Sequence, residues 1–159
     1  MSGFLEGMAS KALWDGIKAG ARTMWGKNGI KITSPAPQET LSDGEPMGSG
    51  HSFRVRGALK RLPKGHEIWL LTQDEKTGLI WPQGFFMVQF NPQLEAWMGK
   101  IYGGGTKNIR IIAVVAPPTS QDYFRYFQTV GDKHQYQYEP LKRIPAECRN
   151  IASVQAFVP

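Results

Sequence analysis

Three histidines, one cysteine and 13 carboxylates are the side chains from which this sequence could assemble a catalytic or metal site. Their spacing argues against both. His51, His66 and His134 are dispersed, and none stands in an HxH, HExxH or CxxC context with a carboxylate at ligand spacing. His66, next to Gly65 at a strand start, fits a turn residue that hydrogen-bonds locally. Cys148 sits in "PAECRN", which supplies no adjacent base, and a single cysteine excludes an internal disulfide framework. Asp74 and Glu75 fall in "DEKTG", a polar hairpin end rather than an acid/base pair. "YGGGT", residues 102–106, lies between two strands without the GK[ST] and helix of a phosphate-binding loop, so it reads as a turn. No serine occupies a nucleophile elbow. The expectation is a non-enzymatic protein with no cofactor, no metal and no small-molecule substrate.

What remains is binding. The 19 basic and 13 acidic residues give a net charge of +6, a balance that favours anionic partners. Arg54, Arg56, Lys60, Arg61 and Lys64 cluster on the second strand and its hairpin, with Arg54 and Arg56 on one wet face where they could contact phosphates. The commoner role of such charge is to keep a sheet from pairing edge to edge. Binding of nucleic acid or a membrane surface is therefore the alternative reading, and no aromatic RNA-binding motif supports it. Trp81, Phe85, Phe86 and Trp97 could form a stacking platform for sugar, although core burial is the usual fate of sandwich aromatics.

The elements that would present these groups follow from periodicity. Over residues 3–26, Leu5, Met8, Ala9, Ala12, Leu13, Ile17, Ala21 and Met24 recur at helical spacing opposite Lys11, Asp15, Lys18 and Arg22, which predicts an amphipathic helix ended by "GKNG". Ala12, Gly16 and Gly20 form a row of small residues that allows close approach of another backbone. Leu5, Met8, Leu13, Gly16, Ile17, Gly20 and Met24 are the candidate partner-binding surface. The partner would be the chain's own sheet, another protein, or a second copy in a homo-oligomer. A membrane-surface role would use Phe4, Trp14 and Trp25 as anchors.

From residue 29 the pattern changes to short strands punctuated by turns. Strands are predicted at 30–34, 52–60, 67–73, 79–89, 95–101, 108–116 and 150–158, with a surface loop over 35–50. A helix is predicted over 120–130, closed by Gly131, and an irregular excursion follows over 132–149. This divides the chain into an N-terminal helix, 1–28, and a seven-strand antiparallel β-sandwich, 29–159. Three of the strands carry too little polarity. Ile68 and Leu70 oppose Trp69 and Leu71; Phe85 and Met87 oppose Phe86, Val88 and Phe90; Ile109, Ile111, Ala113 and Val115 oppose Ile112 and Val114. A strand buried on both faces reads this way. The opposing sheet covers one face; a helix, the excursion or another subunit must cover the other, and the N-terminal helix is the economical candidate.

The succession "ITSPAPQETLSDGE", "FRVRGALKRLPKGHEIWLL", "LIWPQG", "AWMGKIYGG" and "IRIIAVVAP" resembles an immunoglobulin-like or fibronectin-like β-sandwich module of bacterial multidomain signalling or defence proteins. The resemblance spans residues 30–118 and the final strand. It implies a recognition or scaffolding role without catalytic residues. The N-terminal and aromatic helices are additions to such a module. The opening residues lack the features of a signal peptide, and no run of 18 apolar residues occurs, so a soluble, cytoplasmic protein is expected.

Overall fold

The computed structural model describes residues 29–159 apart from residues 43, 85, 104–106 and 136. The expectations for residues 1–28, including the helix and the partner-binding surface Leu5, Met8, Leu13, Gly16, Ile17, Gly20 and Met24, lie outside the described residues, as does most of "YGGGT".

The fold is mainly β. Among the described residues ten strands run β1 (Lys31–Ser34), β2 (Glu39–Thr40), β3 (Glu45–Met47), β4 (Gly50–Ala58), β5 (Glu67–Asp74), β6 (Ile80–Pro82), β7 (Gln89–Asn91), β8 (Ala96–Gly103), β9 (Asn108–Ala116) and β10 (Ile151–Phe157), with helix α1 (Pro118–Lys133) between the last two. They form two sheets. The first is ordered β1-β4-β8-β7, with β3 on the same edge of β4 as β1; the second is ordered β2-β10-β9-β5-β6. All pairs are antiparallel except β2 with β10, which is parallel. The short strands β2 and β3 lie within the stretch expected to be a loop, because the chain leaves the first sheet after Ser34 and joins the second at Glu39.

Alternation fixes which side chains meet. Phe53, Val55, Trp97 and Ile101 of the first sheet face Ile68, Leu70, Ile109, Ile111, Ala113, Val115, Ala152, Val154 and Ala156 of the second. The opposite parity of β5 and β9 points away from this core, and it is buried as well: Leu71, Ile112, Val114 and Ala116 are at most 1% exposed. They join Ile80, Phe124, Leu141 and Cys148 in a second apolar cluster. Among the described residues, the cover over this outer face is α1 and the excursion that follows it.

Helix α1 begins where Pro117 and Pro118 end β9, a position that tolerates a missing N–H. Phe124 is fully buried, and its ring lies 5.2 Å from that of Trp69. The helix continues past the predicted stop to Lys133. Gly131 is an interior residue whose missing side chain makes room for Tyr138; a Cβ there would lie 1.9 Å from the Tyr138 ring. Leu141 then exchanges both backbone hydrogen bonds with Ile80, so the excursion is attached to the edge of the second sheet.

Candidate interaction groove

The predicted strand 79–89 is two short strands in different sheets, and the break between them creates a concavity. β6 pairs with β5 only from Leu71 to Gln73. At Gln83 the chain makes one more bond, its N–H to the Leu70 carbonyl at 2.9 Å, and leaves for the first sheet. The Gln83 side chain holds this departure. Its amide nitrogen donates to Thr72 Oγ1 at 3.0 Å, and its carbonyl accepts the Tyr102 N–H of β8 at 2.8 Å, so one buried amide ties the two sheets together. Gly84 follows, donating to Gln128 Oε1 at 3.1 Å, with the helix so close that a Cβ would sit 2.7 Å from that oxygen. "WPQG" is thus a clip, with Trp81 anchored by its indole N–H on the Tyr138 carbonyl.

Because the chain departs there, Glu67–Trp69 of β5, paired with β9 on one side, has no strand on its other side among the described residues. A groove of about 360 Å³ runs along this open edge. Its floor is Ile68, Trp69 and Leu70; one wall is Phe86 to Val88 with Phe90; the other is Arg125, Gln128 and Thr129 of α1; Leu62 closes the end. Met87 is 80% exposed beside it. Strand alternation matters for the floor: Leu70 turns its carbonyl to this side, so Ile68, two residues earlier, does the same with its N–H and C=O.

The charged groups at the rim are already engaged. Arg125 places one nitrogen 2.6 and 2.7 Å from the two Glu67 oxygens and lies 5.8 Å over the Trp69 ring, while the Trp69 indole donates to Glu67 at 3.0 Å. His66 Nδ1 is 3.1 Å from the Lys64 carbonyl, a local contact as expected. An apolar slot beside a bare strand edge, with its ions paired, is suited to taking up an apolar segment of chain.

The basic residues are placed apart. Arg54 and Arg56 are exposed on the outer face of the first sheet, next to Lys100 across from Arg54. Lys100 contacts Glu45 at 2.7 Å and lies 5.3 Å from the centre of the Phe86 ring; its hydrogen bond and charge hold the Glu45 carboxyl below the usual carboxylate range. β4 and β5 belong to different sheets, so the expected hairpin is a crossover, and Lys60, Arg61 and Lys64 stand on that crossover at the end of the molecule. Arg54 and Arg56 are brought together; the other three are not on their face.

The remaining candidates are structural in place. Asp74 accepts from Thr77 Oγ1 at 2.8 Å and from the Lys76 N–H at 3.1 Å, the first of which chiefly lowers its pKa, and Glu75 pairs with Arg110 at 2.9 Å. Cys148 is buried beside Ser120; burial raises its thiol pKa, with the Ser120 hydroxyl opposing the shift. Trp97 is in the core, Trp81 is held under Tyr138, and Phe86 leans on Lys100, so these three form no platform; Phe85 lies outside the described residues. Among the described residues no group of three His, Cys, Asp or Glu could hold a metal ion, and no helix is long and apolar enough to cross a membrane. No protein-family model matches the chain, and comparison with curated proteins finds no match.

Proposed function

We propose that the chain is a non-enzymatic interaction module of immunoglobulin-like build, which engages apolar protein segments through the groove at the β5 edge, with residues 1–28 docking on the sheets or driving self-association. The observation that carries this reading is the bare strand edge between Phe86–Phe90 and α1, with Met87 in solvent. The strand order supports the immunoglobulin-like assignment. With β1, β4, β5, β6, β7, β8, β9 and β10 as strands A, B, C, C′, D, E, F and G, the sheets are A-B-E-D and G-F-C-C′. The chain departs from antibody domains in two respects. With a single cysteine it has no disulfide between the sheets, and its strand-C tryptophan, Trp69, faces α1. The F-to-G connection is the long one, and its helix covers the G-F-C face that other modules leave open, so the edge is what this one offers.

Both apolar clusters are made of described residues, so a chain lacking 1–28 keeps its core. Light scattering after size exclusion, with a dye for exposed apolar surface, compares the two lengths. Removal of 1–28 is expected to change either the number of copies per particle or the dye response. The same number of copies and identical dye binding overturn the proposal.

A second reading, a binder of nucleic acid or anionic membrane, is favoured by the pairing of Arg54 and Arg56 on an open face. A cytoplasmic, bacterial setting belongs to the same proposal.

A further inference from the structure

We infer that the groove is filled by this chain's own Met24 and Trp25, folded back from the start of β1. This rests on the interaction reading above and names the occupant of the same groove. The first support is where the described chain begins. Ile30 is buried, and its N–H donates to Asn150 Oδ1 at 2.9 Å, so the tether has a fixed end. The Asn150 carbonyl accepts the Val115 N–H at 3.0 Å, and Val115 is paired with Ile68 on the groove floor. Asn150 is therefore two strand spacings from the floor, about 10 Å. Trp25 precedes Gly29 by four residues, a span of roughly 14 Å when extended, which exceeds that distance.

The second support is fit. A space of about 360 Å³ admits one or two large side chains, not the whole apolar stripe predicted for residues 3–26. Met24 and Trp25 are the last large apolar residues before "GKNG". An indole brings a broad apolar body and a single donor, and the floor offers the Ile68 carbonyl between the apolar side chains of Leu62, Val88 and Phe90. A short tether also gives this segment an effective concentration that a free partner reaches only at about millimolar levels.

The test uses the full chain with a benzoyl-phenylalanine at position 87, where the native Met87 is 80% exposed and tolerates replacement. Light- and heavy-isotope chains are mixed, irradiated and cut with trypsin, which releases residues 23–27 as one peptide. The expected result is a link from position 87 to that peptide within single-isotope chains. Trp25→Ala should lower its yield about tenfold, as loss of one large buried side chain implies. The same photo-residue at Leu94, exposed in the turn before β8, should give no such link. Mixed-isotope links would assign the segment to a second copy. Links to no peptide of residues 1–28, or equal links from position 94, would also overturn the inference. A change in the number of copies or in dye binding on removing 1–28 does not depend on position 87, so the inference can fail while the interaction reading stands.

Discussion

Gly57 lies where three strands are pressed together, and glycine is required there by space. A Cβ would come within 2.1 Å of both the Lys31 carbonyl on β1 and the Trp97 ring on β8. One obstacle is backbone and the other a buried indole, so neither yields cheaply. Gly57→Ala is expected to cost about 3 kcal/mol, read as a lower urea midpoint with unchanged slope; Gly48, with open space around it but φ of +59°, should lose only about 1–2 kcal/mol on the same change. Cys148 gives a pH prediction. Its folded-state pKa is raised by burial, so the thiol is favoured in the fold. Its contribution is complete below the unfolded thiol pKa, about 8.5, and is lost as pH climbs through the higher folded value. Unfolding midpoints of the parent should fall over this alkaline range more than those of Cys148→Ala. Parallel curves would show that the thiol is not desolvated.

Between α1 and β5 two interactions invite comparison, a buried ring and an exposed ion pair. Phe124 is fully buried against Trp69, whereas Arg125 and Glu67 retain 47% and 34% of their side-chain exposure. Phe124→Ala should therefore destabilise by about 3–5 kcal/mol and Arg125→Ala by at most about 1 kcal/mol. Comparable losses in urea unfolding would mean that α1 is held by charge. This layer was half legible in the sequence. The apolar residues on both parities of β5 and β9 announced a doubly covered sheet, because period-two alternation leaves no other place for Trp69 and Leu71. The identity of the cover was not legible. Several amphipathic segments could meet that face, and proximity in space between β9 and its own C-terminal helix leaves no periodic trace. The groove was hidden for a related reason. Residues 79–89 read as one apolar strand, and only the Gln83 amide, whose two bonds to different sheets no local pattern encodes, divides it.

At the scale of the molecule the two outer faces differ, and that difference decides where an anion could bind. α1 and the excursion close the second sheet, while the first sheet keeps a solvated face carrying Arg54 and Arg56 beside Lys100 and Glu45. Lys100 is paired with Glu45, so the two arginines are the groups with most to gain from a phosphate backbone. Each Arg→Glu change removes two charges, and the double change Arg54→Glu plus Arg56→Glu takes the net charge from +6 to +2. If the second reading holds, affinity for duplex DNA falls steeply with salt, and the double variant lowers the slope of log K against log salt by about 2. Lys60→Glu plus Lys64→Glu makes the same change in net charge on the crossover, away from that face. Comparing the two double variants separates a local contact from long-range attraction. A contact at the sheet face weakens far more with the arginines reversed, whereas equal weakening from both would reduce the effect to net charge and remove the sheet face as a binding surface.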